Sequence, residues 1–89
     1  MKYYEWNREK NEKLKKERGV GFEEIVTKIV AGEVLDVISN PSHNYPNQKV
    51  YVIRISNYIY YIPHVEEDDT VFLKTIIPSR KATKEYLKK

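Results

Sequence analysis

The first part of the chain alternates aromatic and charged residues in a way that predicts one strand and one helix. Residues 1–6 place aromatic side chains at near-alternate positions, as in a short strand. Asn7 can then cap a helix over Arg8–Arg18, whose interior holds a single apolar residue, Leu14. Such a helix cannot bury a broad apolar stripe, so we expect packing at Trp6 and Leu14 to hold it.

The next stretch has the clearest helical period in the sequence. After a break at residues 19–21, apolar residues recur three and four positions apart through Phe22–Val30, as one face of an amphipathic helix requires. Gly32 is placed to end this helix, because glycine readily adopts the left-handed conformation of helix C-termini. We therefore predict two helices in the N-terminal half.

Apolar runs of strand length dominate the second half of the chain. Residues 34–38, Lys49–Ile55, residues 58–64 and residues 71–77 are rich in β-branched and aromatic side chains, and each run predicts a strand. Residues 39–48 hold two prolines and three asparagines and predict a loop. A loop of this length in so small a protein is often functional.

Short connections order these strands as an antiparallel meander followed by a helix. Ser56-Asn57 has the length of a tight hairpin turn, and asparagine tolerates the positive φ that such turns use. Residues 66–69 form an acidic turn. Pro78 has no N–H and should end the last strand, and Ser79 can cap a helix that starts at Arg80.

This order predicts an α+β fold, in which a small antiparallel β-sheet carries two helices from the N-terminal half and one C-terminal helix. The 89 residues allow one small core, so we expect residues 1–89 to form a single domain. The absence of cysteine excludes disulfides and thiolate metal sites, and neither a signal region nor a membrane-spanning run is present. We therefore expect a cytoplasmic protein that has no cofactor and does not contact a membrane.

The net charge of +3 is unevenly distributed along the chain. Residues 1–18 carry seven Lys or Arg and four Glu, and residues 78–89 carry five Lys or Arg and one Glu. Residues 19–77 carry four Lys or Arg and eight Asp or Glu. If the termini fold onto the same side, they form a positive surface suited to a polyanion; otherwise these residues are ordinary solvated helix faces.

The sequence contains no glycine-rich phosphate loop, no metal-ligand pair at helical spacing and no cysteine nucleophile. It does contain the residue types that cleave RNA without a metal: a base for the ribose 2′-hydroxyl, cations for the charged phosphorane and an acid for the leaving oxygen. The catalytic candidates are His43, His64, Arg54 and Arg80, and the candidates for substrate binding are Lys15, Arg18, Lys49, Lys74, Lys81 and Lys84.

Most of these residues also have a structural interpretation. A lone loop histidine such as His43 is more often simply exposed. Arg54 interrupts an apolar strand, so its charge must face solvent, a partner or a cleft, or pair with the acidic turn. Tyrosines such as Tyr51 and Tyr60 could stack on unpaired bases, but more often they pack at the rim of a core.

Several segments, in this order, resemble one family of bacterial proteins. The segments are Tyr4-Glu5-Trp6-Asn7, Asn11, Gly19-Val20-Gly21-Phe22-Glu23-Glu24, His43, Ile76-Ile77-Pro78-Ser79-Arg80-Lys81-Ala82, and Glu85-Tyr86. They are similar to the BrnT-like toxins of type II toxin–antitoxin systems, whose compact fold is related to the RelE ribonucleases. The resemblance covers nearly the whole chain.

The resemblance implies a RelE/BrnT-like fold and a metal-independent endoribonuclease toxin that cleaves mRNA and so inhibits translation. It also implies a cognate antitoxin as partner, in a hetero-oligomer, with a homodimer as the other arrangement. His43 and His64 are then the acid and base, and Arg54 and Arg80 bind phosphate. The alternative from a different class is a non-catalytic RNA- or protein-binding module of the same fold.

Overall fold

The computed structural model describes residues 2–40, 44 and 47–87, which form three helices and a six-stranded sheet. The strands are β1 (Tyr3–Trp6), β2 (Val34–Ser39), β3 (Lys49–Ile55), β4 (Tyr58–Glu67), β5 (Thr70–Leu73) and β6 (Ile77–Pro78). The helices are α1 (Arg8–Arg18), α2 (Phe22–Val30) and α3 (Arg80–Leu87). The predicted α+β class and the positions of the three helices are confirmed.

The sheet is mixed, with the strand order β1-β5-β4-β3-β2 and β6 beside β4. The strands β2 to β5 form the predicted antiparallel meander. However, β1 pairs with β5 in parallel, with Tyr4 opposite Val71 and Trp6 opposite Leu73, so the prediction of an antiparallel sheet was wrong for this pair. Two-residue turns reverse the chain between β3 and β4 and between β4 and β5, but two helices and three strands separate β1 from β5, so no turn sets their direction.

Side-chain alternation gives the sheet two different faces. One face, which we call the α1/α2 face, packs Ile53 and Ile62 in the same buried cluster as Phe22 of α2. On the opposite face, which we call the α3 face, Val52 packs with Ala82 of α3 in a smaller cluster. The first two helices and the last helix therefore lie on opposite sides of the sheet, and the two basic termini do not share one face.

The N-terminal helix is held by a few specific contacts, as its sequence predicts. Leu14 is buried, and the Trp6 ring stacks on Phe22 with centroids 5.8 Å apart. The predicted cap is confirmed, because Asn7 Oδ1 accepts the Lys10 N–H at 2.9 Å. None of the helices in the described part of the chain is long and apolar enough to cross a membrane.

A buried asparagine joins α1 to α2. Asn11 Oδ1 accepts the Phe22 N–H at 2.7 Å, and its Nδ2 donates to Glu23 Oε2 at 2.9 Å. The N-cap of α2 is Gly21, which has no side chain to make these bonds. A Cβ atom at Gly21 would lie 3.0 Å from Asn11 Oδ1, so the glycine permits the close approach. Asn11 therefore caps the second helix from the first.

The region between β5 and α3 differs from the prediction. The strand β5 ends at Leu73 rather than at Ile77, after which Ile76 turns into the core. Ile77–Pro78 then pairs with β4 as a separate short strand, so Pro78 is the last residue of β6 and not the stop of a strand continuous with β5. Proline is tolerated there because a two-residue strand paired on one side does not need its N–H. The predicted cap of α3 is confirmed, because Ser79 Oγ accepts the Ala82 N–H at 3.1 Å.

The β3–β4 hairpin lies where the sequence predicts it, but its turn uses a different residue. Ser56, with φ of 57°, occupies the left-handed region, and Asn57 does not. Asn57 instead uses its side chain, which accepts a hydrogen bond from Arg54 Nη2 at 3.2 Å. A side-chain acceptor next to the turn therefore replaces the predicted backbone role of the asparagine.

Candidate functional site

His64 is a buried polar residue of β4 and points to the α1/α2 face. Its side chain is only 3% exposed, and its ring stacks on Tyr51 with centroids 3.8 Å apart and an interplanar angle of 10°. His64 Nδ1 lies 3.1 Å from the carbonyl oxygen of Ile62. A carbonyl can only accept, so Nδ1 carries the hydrogen, and in the neutral ring Nε2 keeps its lone pair.

The surroundings of His64 favour the neutral form of the ring. Burial lowers the pKa of His64 below its usual value of 6.5, and the positive charges of Lys2 and Lys49 act in the same direction. The Ile62 carbonyl and the Glu66 carboxylate oppose this shift without reversing it. At neutral pH the imidazole is therefore unprotonated at Nε2, which is the state that a general base requires.

Polar side chains from three strands and the N-terminus lie near the stacked rings of His64 and Tyr51. Lys49 is the direct cross-strand neighbour of His64, and Glu66 forms an ion pair with Lys2. Burial, followed by interactions with Tyr4 and Glu66, raises the pKa of Tyr51 to about 12, so its phenol stays protonated at neutral pH. We call this group the His64 cluster, and it consists of Lys2, Tyr4, Lys49, Tyr51, His64 and Glu66.

The predicted partner of His64, His43, lies outside the described residues. The residues on either side of that segment are joined, because the Asn40 N–H donates to the Gln48 carbonyl at 3.0 Å and Asn40 Nδ2 donates to Gln48 Oε1 at 3.0 Å. Gln48 directly precedes Lys49, the cross-strand neighbour of His64. Asn40 and Gln48 are therefore paired next to Lys49.

Arg54 lies far from His64 along the strands, and its side chain lies on the opposite face of the sheet. It alternates with the buried Ile53 and Ile55, so its side chain lies on the α3 face. Lys49 and Arg54 stand near opposite ends of β3, roughly 16 Å apart at the usual rise of a strand. Arg54 makes its hydrogen bonds to Ser56 and Asn57 within the hairpin and forms no ion pair with the acidic turn.

The cations of α3 also lie away from His64. Arg80, Lys81 and Lys84 are exposed on a helix that packs against the α3 face through Ala82. The structure therefore does not bring Arg54 or Arg80 together with His64 in one cleft. Their predicted roles in phosphate binding remain predictions, at positions remote from the imidazole.

Three other predicted binding residues have identified contacts. Lys15 Nζ pairs with Glu23 at 3.2 Å and with Glu12 at 3.8 Å, which partly neutralises its charge. The guanidinium of Arg18 donates to the carbonyl oxygen of Ile76 and so joins the end of α1 to the segment before α3. Lys74 Nζ lies 4.9 Å from the centroid of the Phe72 ring. Arg18 thus lies close in space to the chain leading to Arg80.

Comparisons with known proteins leave the family of this chain open. No family model, no curated protein and no solved structure matches it. In the part of the chain that the structure describes, no group of three or more histidine, aspartate or glutamate side chains is arranged to hold a metal ion. Function must therefore be argued from the geometry of the site.

The sequence analysis names Lys49 and His64 as separate candidates, although the sequence also contains the signal that pairs them. A two-residue turn at Ser56-Asn57 fixes Lys49 opposite His64, and the alternation along β4 places His64 on the same face as the buried Ile62. No comparable signal indicates Tyr4, because its approach to Tyr51 depends on the parallel pairing of β1 with β5. Local patterns carry no information about that long-range contact.

Proposed function

We propose that this protein is a metal-independent endoribonuclease toxin of a toxin–antitoxin pair, which cleaves mRNA and thereby inhibits translation. The observation that carries the proposal is the state of His64. Its Nδ1 is held by a backbone carbonyl, its pKa is lowered by burial, and a lysine stands directly across the strand pair. A neutral imidazole beside a cation matches the first step of RNA cleavage through the ribose 2′-hydroxyl.

The proposed reaction is an internal transfer within the RNA. His64 Nε2 removes the 2′-hydroxyl proton, the 2′-oxygen forms a bond to the neighbouring phosphorus, and the bond from phosphorus to the 5′-oxygen breaks. An acid gives a proton to that leaving oxygen, so the products are a 2′,3′-cyclic phosphate and a free 5′-hydroxyl. Lys49 stabilises the negative charge that develops on the phosphoryl oxygens.

The proton donor is chosen from two residues. His43 and His64 are the candidate acid and base of the sequence analysis, so with His64 as the base His43 is one candidate for the donor. Among the described residues, Tyr51 contacts the His64 ring and keeps its phenol proton at neutral pH. The cognate antitoxin would then inhibit the enzyme by blocking access of RNA to this part of the α1/α2 face.

The proposal is tested with labelled mRNA, purified protein and EDTA. The parent protein should cleave the RNA to products with 2′,3′-cyclic phosphate ends, and His64→Gln and Lys49→Gln should lose most of that activity. Lys13→Gln is the matched control, because Lys13 is exposed on α1 and lies outside the His64 cluster. Intact RNA with the parent protein, or full cleavage by His64→Gln, would overturn the proposal.

A non-catalytic RNA- or protein-binding module is the second candidate, and the burial of His64 favours it. With 3% of the residue exposed and one ring face against Tyr51, substrate can approach the imidazole only along a narrow edge. Under this alternative, expression of the protein alone causes no growth arrest. Binding of RNA or of the partner then survives His64→Gln.

A further inference from the structure

Arg54 is a fixed cation without a carboxylate partner in the described part of the chain. Its Nε donates to the Ser56 carbonyl at 2.9 Å and its Nη2 donates to Asn57 Oδ1 at 3.2 Å. Both acceptors are neutral, and none of the ion pairs among the described residues includes Arg54. The hairpin therefore sets the orientation of the guanidinium while its charge stays available to an anion.

Two clefts share Arg54 as a lining residue. The first, which we call the α3 cleft, has a volume of about 520 Å³ and is lined by Arg54, Asn57, Thr83, Tyr86 and Leu87. The second, which we call the β2 cleft, has a volume of about 440 Å³ and includes Leu35, Lys28 and Glu33 in its wall together with Arg54. Arg54 is the one residue that lines both of these clefts.

The acidic groups near the clefts already have partners. Glu33 pairs with Lys28 at 3.2 Å. Asp36 Oδ1 accepts the Val37 N–H at 2.8 Å, and Asp36 Oδ2 accepts the Tyr86 hydroxyl at 3.3 Å. The donors to Asp36 are neutral, so its carboxylate keeps its charge beside Tyr86, but Asp36 does not line either cleft. Among the residues that line the two clefts, Arg54 is the charged side chain without an oppositely charged partner.

We propose that Arg54 binds a phosphate of single-stranded RNA, with the two adjoining nucleotides in the α3 cleft and the β2 cleft. A phosphodiester lies between two nucleosides, and Arg54 lies between two clefts. The Tyr86 ring, 38% exposed in the α3 cleft, offers a surface on which a base can stack. Leu35, 48% exposed, gives the β2 cleft an apolar wall for the other nucleoside.

This subsite rests on the RNA substrate proposed above, but it is separate from the His64 cluster. The Arg54 side chain and the α3 cleft lie on the other face of the sheet, and both clefts adjoin the other end of β3. Arg54 is thus a residue that holds RNA away from the point of cleavage, and it contacts no reacting atom.

The test uses a short fluorescent oligonucleotide with 2′-O-methyl riboses, which cannot be cleaved, and measures its anisotropy at several salt concentrations. Arg54→Gln should weaken binding about five- to tenfold and reduce the slope of log affinity against log salt by about 0.7, the value for one lost phosphate contact on a single strand. Lys13→Gln removes the same charge from α1, which does not line either cleft, and should change affinity less than twofold or so. Thermal unfolding of each variant confirms that the fold is kept.

Two further variants separate the parts of the subsite. Arg54→Lys keeps the charge but loses the planar fork, so its affinity should lie between those of the parent and Arg54→Gln. Tyr86→Leu should weaken binding while Tyr86→Phe should not, because stacking needs the ring and not the hydroxyl.

The outcomes separate this proposal from the nuclease proposal. Equal affinity and equal salt slope for Arg54→Gln and Lys13→Gln would overturn the subsite, whatever the cleavage assay shows. Loss of binding to a protein partner with unchanged oligonucleotide binding would also overturn it and assign the clefts to that partner. Oligonucleotide binding that depends on Arg54, in a protein that does not cleave RNA, would support the subsite and contradict the nuclease.

Discussion

Asn11 and His64 are the two buried polar side chains in the described part of the chain, 2% and 3% exposed. They resemble each other in burial and differ in how their polar atoms are used. Asn11 donates and accepts with both ends of its amide, and both bonds hold the start of α2. His64 uses Nδ1 on the carbonyl of Ile62 in its own strand, and its second nitrogen is not needed for that contact.

The difference between them indicates which buried polar residue is structural and which is chemical. The amide of Asn11 does not titrate, and it satisfies a backbone N–H that would otherwise be buried without a partner. The ring of His64 does titrate, and its neighbours include two lysines, a glutamate and Tyr51. Burial alone therefore does not distinguish the two roles, but the number of polar atoms committed to the fold does.

The largest expected difference between His64 and Asn11 is in the rate of RNA cleavage. His64→Gln should lower RNA cleavage at least about 100-fold, because a general base contributes roughly that much or more. It should change the free energy of unfolding by only about 1 kcal/mol, because a glutamine amide can still donate to the Ile62 carbonyl. Single-turnover cleavage and urea unfolding measure the two quantities. A large loss of both cleavage and stability in His64→Gln would show that His64 has a structural role, as Asn11 does.

Asn11→Ala should show the opposite pattern. It leaves the buried Phe22 N–H without its acceptor, so it should lower the free energy of unfolding by about 2–3 kcal/mol. Asn7→Ala is the matched control, because it removes an exposed helix cap and should cost about 1 kcal/mol. Cleavage per folded molecule should be unchanged in both variants. Equal destabilisation by the two alanines would contradict the role assigned to Asn11.

Tyr51 allows the packing of His64 to be changed without removing the imidazole. Tyr51→Leu should destabilise the protein by about 1 kcal/mol through loss of the stacked ring, whereas Tyr51→Phe keeps the ring and should cost less. If the phenol is the proton donor, Tyr51→Phe should still reduce cleavage. If His43 is the donor, Tyr51→Phe cleaves normally and His43→Ala does not. Cleavage rates of the three variants decide between the two donors.

The smallest effect is a dependence of the free energy of unfolding on pH, with an upper pH range due to His64 and a lower pH range due to Glu23, the partner of Asn11. The pKa of His64 is lowered in the folded state, so the unfolded chain takes up a proton first as the pH falls. The contribution of His64 to the free energy of unfolding is therefore fully present above about pH 6.5 and decreases as the pH drops toward the folded-state pKa. The pKa of Glu23 is lowered mainly by the hydrogen bond from Asn11, so that contribution is present above 4.5 and is lost as the pH falls through the folded-state pKa.

Urea unfolding between about pH 8 and pH 2.5 can detect both ranges. His64→Gln should remove the change in the free energy of unfolding over the upper pH range and leave the change over the lower pH range as in the parent. Asn11→Ala should weaken the lower range and leave the upper one unchanged. The same pH dependence in the parent and both variants would show that other groups control stability.

Elements with strong local signals could be predicted from the sequence. The periodic apolar residues of Phe22–Val30 define α2, and the caps Asn7 and Ser79 define the starts of α1 and α3. The two-residue turn sets the register of β3 against β4, which is enough to place Lys49 opposite His64. In each case the information lies within a few residues of the feature that it determines.

Features that depend on distant contacts could not be predicted. The parallel pairing of β1 with β5 joins the first strand to the fifth, and the short pairing of Pro78 with Tyr60 follows a segment in which Ile76 is buried in the core. Arg54 was predicted in the same catalytic group as His64 because both residue types suit RNA cleavage. Alternation along β3 places it on the other face, where it meets α3 rather than the imidazole.

The central claim is that a neutral, buried His64 acts as the base in cleavage, and the pH dependence of single-turnover cleavage in EDTA tests it most directly. The account predicts that the rate falls on the acid side with an apparent pKa below 6.5, because burial lowers the pKa of His64. It also predicts that this limb is absent from the residual activity of His64→Gln. An acid limb that persists unchanged in His64→Gln, or a parent rate with no acid limb, would contradict the claim and favour the binding module.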